Sequence, residues 1–193
     1  MKNFSYCGLV PVFTAALLLS GCAASTSDIP AVDGFELDRY LGCWYEIARL
    51  PHRFERNLDQ VRAEYAIEPG GGVKVVNSGV RDGEASRIVG HAKLKYPDAP
   101  SPRGELRVSF FRPFYGDYRI IELDPEYRYA VVTGATRDYL WILSREPTMP
   151  EPLLSGIIGR MEKLGFAVEK LEFPRQDPVQ GRCERHTSTP ESR

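Results

Sequence analysis

The sequence predicts an all-β domain, an antiparallel sandwich or barrel, followed by a single helix. Three observations carry this. From Leu41 onward the chain breaks into short runs in which apolar and polar residues alternate, the period of half-buried strands. Turn-forming clusters separate the runs, among them Gly70-Gly71-Gly72, Asp82-Gly83, Gly116-Asp117 and Asp124-Pro125. After Pro150 the period changes to that of a helix, with Leu153, Leu154, Ile157, Ile158, Met161 and Leu164 on one stripe.

The runs place eight strands at residues 44–50, 60–67, 73–80, 86–94, 105–111, 118–123, 129–133 and 139–145. Pro150 and Pro152 suit the first turn of the helix, and Gly165 its end. The apolar stripe packs on a sheet. A short ninth strand is expected at 169–173, and the tail 174–193 reads as loose. A closed eight-stranded barrel has room for one small ligand, whereas a sandwich would be solid. Alternation alone leaves both open.

The N-terminus has a different character. Lys2 is the only charge before Asp28, and residues 8–19 form an apolar run. Twelve residues are too few to span a bilayer as a helix and match the core of a signal peptide. The run ends in Leu19-Ser20-Gly21-Cys22, which resembles the lipobox of bacterial lipoproteins. That resemblance implies cleavage after residue 21 and lipidation of Cys22. Ala23 stands where an aspartate would signal inner-membrane retention, so the resemblance favours the outer membrane of a Gram-negative bacterium, with the domain facing the periplasm. The expected organisation is a lipoprotein signal over 1–21, a lipidated tether over 22–34, the folded domain over 35–173 and the tail.

Composition removes other classes. The 25 basic and 26 acidic residues nearly cancel, which argues against nucleic acid as a partner. The four cysteines form no C-x-x-C pair, which argues against zinc. His52, His91 and His186 fall on a loop, an outward strand position and the tail, a poor set for haem, and no cofactor is expected.

The stretch "LGCWYEIARLPHRFER" begins the first strand. Gly42-Cys43-Trp44 resembles the G-x-W signature of lipocalins, and Tyr45-Glu46-Ile47-Ala48-Arg49 after it is similar to the bacterial subgroup related to apolipoprotein D. "DYLWILSR", 138–145, resembles the last block of the family, with Arg145 as its arginine. "DPEYRYAVV", 124–132, matches the middle block only through Asp124 and Tyr127. The resemblance runs from Phe35 to Phe173. It implies an eight-stranded antiparallel up-and-down barrel with the C-terminal helix packed outside. Gly42, Trp44 and Arg145 are then structural: Trp44 plugs the closed end and the Arg145 guanidinium lies over it, a cation–π contact of about 0.5–2 kcal/mol.

Strand side chains alternate faces, so an inward Trp44 also turns Glu46 and Ala48 inward. The same register lines the interior with Ala63, Tyr65, Val75, Asn77, Val108, Phe110, Tyr118, Ile120, Glu122 and Trp141, the candidate ligand-binding residues. This lining is apolar with a few polar groups, which suits an acyl chain, and a fatty acid or lysophospholipid is the expected ligand. Storage or transport in envelope maintenance follows. Two rivals remain: an enzyme using Glu46 or Glu122 as acid or base, and a scaffold whose barrel is packed solid. Cys43 should face outward at the closed end. An oxidising compartment permits a disulfide with Cys183, and the sequence leaves that pairing open, as it does a homodimer. At the mouth, Pro113, Phe114 and Tyr115 stand beside Arg112, and Phe54 beside Arg53 and Arg56. This mix suits a lipid interface, or aromatics folded back to narrow the entrance.

Overall fold

The computed structural model describes residues 24–177 and residue 183. Eight strands, β1 (Gly42–Arg49), β2 (Leu58–Ile67), β3 (Val73–Arg81), β4 (Glu84–Leu94), β5 (Glu105–Phe111), β6 (Phe114–Leu123), β7 (Tyr129–Thr133) and β8 (Leu140–Ser144), pair in sequence order. β1 returns to β8 antiparallel and closes the barrel. The expected eight-stranded architecture is therefore present. A short helix, α1 (Leu37–Tyr40), precedes β1, and α2 (Glu151–Lys163) follows β8. The buried stripe of α2, Ile157 and Met161, packs on Tyr45, Val131, Leu140 and Ile142 of the barrel's outer face.

The closed end is built on Trp44. Its indole is fully buried and donates to the Tyr40 carbonyl at 2.8 Å. The Arg145 guanidinium lies 3.8 Å from the ring centroid. Arg145 also donates to the carbonyls of Cys43 and Arg39, each at 2.8 Å, and of Tyr127 at 3.3 Å. Burial lowers its pKa to about 10, so it stays charged at neutral pH. Gly42 begins the strand with a φ of +87°, a left-handed backbone that favours glycine. Beside the indole, Tyr40, Tyr118 and Tyr65 form a hydroxyl chain, 2.6 Å and then 2.9 Å apart.

Two β-bulges change the inward set, because an inserted residue reverses alternation beyond it. On β1 the register shifts between Glu46, opposite Leu143, and Ala48, opposite Ile142. Ala48 is therefore turned outward into the cluster under α2, not into the barrel. On β6 the shift between Ile120 and Glu122 does the same to Glu122. Its carboxylate accepts from Tyr129 Oη at 3.0 Å and Arg160 Nε at 2.9 Å. The expectation that Ala48 and Glu122 line the cavity is corrected on both counts.

Both ends of the described chain depart from expectation. Residues 24–34, expected as a tether, are docked along the barrel. Thr26 donates through its amide to Ala135 O and through its hydroxyl to Gly134 O, Val32 donates to Ile120 O, and Arg119 donates to the carbonyls of Thr26 and Ile29. The ninth strand at 169–173 is instead a 3-10 turn over Val168–Lys170 and a single bridge, Arg49 to Glu172. The tail is not loose at its start. Beyond Tyr45 and Arg62, β1 and β2 diverge, and residues 172–176 fill the gap: Gln176 Nε2 bonds both Glu46 O at 2.7 Å and Val61 O at 3.0 Å. Cys183 then forms a disulfide with Cys43.

Two stability outcomes follow. Trp44→Ala should destabilise by roughly 3–5 kcal/mol, the cost of truncating a large buried aromatic; a denaturant midpoint close to wild type would contradict its placement as the floor. Cys183→Ser opens a ring with a sequence separation of 140 residues and should cost about 2–4 kcal/mol. Adding reductant should lower the wild-type midpoint to that of the variant and leave the variant unchanged.

Candidate functional site: the barrel interior and its mouth

The interior divides into a solid lower half and an open upper half. Near the floor Trp44, Ile120, Ala130 and Val132 are completely buried. Ala63, Asn77, Val108 and Phe110 also point inward but are only half-buried, and Ile88, opposite Asn77, is 39% exposed. Solvent therefore reaches the inner face of β2, β3, β4 and β5. Gly90 shapes this wall: a Cβ there would lie 2.7 Å from the Phe110 ring, so the glycine lets Phe110 lie across β4. Tyr65, Val75, Tyr118 and Ile120 belong to the same inner cluster, just below the open space. A separate groove of about 480 Å³ runs beside Leu58, Asp59 and the C-terminal segment. Its walls carry Arg49, Asp59, Glu172 and Arg175, which suits an acyl chain less well than the barrel.

The mouth holds a polar cluster that the sequence did not reveal. Glu46 is inward and fully buried, and Arg49 Nη1 donates to it at 2.7 Å. Arg49 also meets Glu172 at 3.0 Å and the Leu58 carbonyl at 3.3 Å. The β1–β2 loop then folds over the opening. Glu55 Oε2 accepts from Trp141 Nε1 at 3.0 Å and lies 2.8 Å from His52 Nε2, close but not aligned as a linear hydrogen bond. The His52 ring stands edge-on to Trp141 at 5.2 Å, and Tyr139 stacks on Trp141 at 5.9 Å. Trp141 is therefore inward and also the hinge post of the loop. Two inward atoms, Asn77 Oδ1 and His52 Nδ1, are buried with no hydrogen-bond partner among the described residues, which leaves them able to bond a polar guest.

Burial pushes the Glu46 carboxyl well above the usual range, the neighbouring Glu55 adds to the rise, and Arg49 opposes it. For Glu55 burial also acts upward, but His52, the Trp141 N–H and Arg49 together outweigh it and hold the carboxyl below its ordinary value. Acid–base chemistry between Glu46 and Glu122 is not available here: Glu46 is inside, bound to Arg49, and Glu122 is outside, bound to Arg160. Cys43 lies in the disulfide and offers no nucleophile. Cys22 lies outside the described residues.

The two carboxyls give opposite signs of pH dependence. A raised folded-state pKa makes Glu46 favour the fold as pH falls toward about 4.3, the unfolded glutamate value. A lowered one makes Glu55 contribute stability above about pH 4.3 that is lost as pH falls through its folded value. Wild-type stability should rise and then fall on acidification. Glu55→Gln should cost about 1–3 kcal/mol at neutral pH and flatten both limbs, because Glu55 also raises Glu46. Denaturant midpoints across the acid range check this; an unchanged profile would contradict the coupling.

Comparison with known proteins agrees with this architecture. A family model described as a lipocalin-like domain matches residues 35–176. The outer membrane lipoprotein Blc of Escherichia coli K12 is 43% identical over 170 residues, covering 87% of this chain and 96% of that protein. Temperature-induced lipocalin-1 of Arabidopsis thaliana is 33% identical, covering 78% and 84%. Apolipoprotein D of Rattus norvegicus is 35% identical over 130 residues, covering 63% and 66%. Among solved structures, insecticyanin from the tobacco hornworm Manduca sexta superposes with a TM-score of 0.66 at 20% identity, covering 81% and 88%, a likeness of fold. With the family model spanning the whole barrel and helix, and the sealed floor and open mouth in place, the chain belongs to the lipocalin family.

Proposed function

We propose that this chain is an outer-membrane-anchored binding protein that holds fatty acids or lysophospholipids in the upper barrel and stores or carries them for envelope maintenance. The observation that carries this reading is the half-buried inward stripe of Ala63, Asn77, Val108 and Phe110 above a fully buried floor. Apolar walls open to solvent at one end accept a long chain, and a few polar atoms at the mouth orient its head. Asn77 Oδ1 and His52 are the groups we assign to the head-group end. The outer-membrane location rests on the Cys22 lipobox together with the similarity to the outer membrane lipoprotein of E. coli. Binding is favoured over catalysis because each interior carboxylate already has a protein partner.

Saturable quenching or enhancement of tryptophan fluorescence on adding a long-chain fatty acid or lysophospholipid tests this. The Trp44 indole is sealed in the floor, so Trp141 should report the ligand, and Trp141→Phe should remove most of the change. Ala63→Trp should weaken binding by more than it lowers the denaturant midpoint, since an open space accepts volume that a packed core cannot. No saturable signal in wild type, together with unfolding of Ala63→Trp, would leave the solid-scaffold reading standing.

A further inference from the structure

The docked N-terminal segment ends at the open rim, not at the floor. The Arg137 amide donates to Ala24 O at 2.8 Å, and Ser25 bridges to Thr136. Both partners belong to the β7–β8 loop, which shares the open end with the β1–β2, β3–β4 and β5–β6 loops. Arg137 clamps this end further through Ser25 O and the Asp28 carboxylate. Cys22 is two residues before Ala24, and two residues span at most about 7 Å. The floor lies a whole strand away, on the order of 25 Å. An acyl anchor on Cys22 must therefore leave the molecule beside the mouth.

The same rim carries large apolar side chains that are mostly exposed. Phe54 is 56% exposed, Phe111 64% and Phe114 77%. Phe111 and Phe114 face each other across the β5–β6 hairpin. Phe54 is presented by a braced loop: Arg81 donates to the carbonyls of Phe54 and Arg56 at 3.1 and 3.3 Å, and Arg53 lies over the Phe54 ring at 4.9 Å. Exposed Arg53, Arg56, Arg81 and Arg112 stand among these rings, with Asp82, Glu84 and Asp138 as exposed acids. Aromatic rings flanked by guanidinium groups match the interfacial zone of a bilayer, where one end is apolar and the other wet. Ile67 and Tyr96 are exposed at the opposite end, so exposed apolar side chains alone do not choose an end. The anchor does.

We infer that the open rim of the barrel docks on the bilayer that holds the Cys22 acyl chains, with Phe54, Phe111 and Phe114 seated at its interface and the cavity opening onto lipid. This rests on lipidation of Cys22. The near balance of exposed charges at the rim makes apolar insertion, rather than attraction to anionic head groups, the main contact. A ligand then passes between membrane and barrel without crossing bulk water.

The test uses the mature lipidated protein in vesicles of phosphatidylethanolamine and phosphatidylglycerol, some carrying brominated acyl chains. Flotation, lost in Cys22→Ser, establishes the anchor. A bimane label is then placed at the rim (Asp82→Cys) or at the closed end (Asp98→Cys). The rim label should be quenched by bromolipid at least about three-fold more strongly than the closed-end label, and added salt should change this little. Replacing Phe54, Phe111 and Phe114 together by Ser should keep flotation but bring rim quenching down to the closed-end level. Flotation with equal quenching at both ends, or stronger quenching at the closed end, would overturn the docking and leave the anchor intact. So would a rim label that is shielded from bromolipid but cross-links to a second copy. Wild-type protein that fails to float would sink the anchor reading and the docking with it.

Discussion

The Arg145 guanidinium over the Trp44 indole is the contact on which the rest of the barrel depends. It joins the first strand to the end of the last, and through Cys43 O, Arg39 O and Tyr127 O it ties in α1 and the β6–β7 turn. A half-buried cation satisfied by backbone carbonyls needs those carbonyls in fixed positions. The floor is therefore a positional constraint as much as an apolar one. Because the bottom is sealed by these groups, the strands above need not fill the interior, and the family can leave space there.

Most of this was legible in the sequence wherever a strand keeps strict alternation. Ala63, Tyr65, Val75, Asn77 and Val108 sit on regular stretches of β2, β3 and β5, and their inward direction follows from counting by two; Phe110 packs on the same inner cluster although the β5–β6 register shifts between Val108 and Phe111. Ala48 and Glu122 lie just past bulges. A bulge adds one residue to one strand without changing composition, so no count of apolar residues shows it. Glu122 is further misleading because its partner, Arg160, is 38 residues away on α2.

The remaining surprises come from backbone groups. Residues 24–34 are small and polar, which suggests a free tether, yet Arg119 collects two of their carbonyls, and the β7–β8 loop, Ile120 of β6 and Gly104 of the β4–β5 loop supply further partners. Gln176 likewise holds two carbonyls across a seam in the wall. Composition predicts burial of side chains and says little about which carbonyl a distant arginine or glutamine will reach. The mouth cluster was missed for a related reason: Glu55 and His52 lie in an irregular loop, and only the fold brings them over Trp141 and Glu46.

The seam between β1 and β2 has a temporal meaning as well as a spatial one. β1 is the first strand made, but one of its edges waits for β8 and the upper part of the other waits for residues 172–176. A chain emerging from its N-terminus thus carries an apolar strand with unpaired edges until residues 172–176 have appeared. Such an edge is a template for wrong pairing, and long-range closure of this kind is slow. The wall is therefore completed late, and the order of synthesis leaves β1 open to mispairing until residues 172–176 arrive.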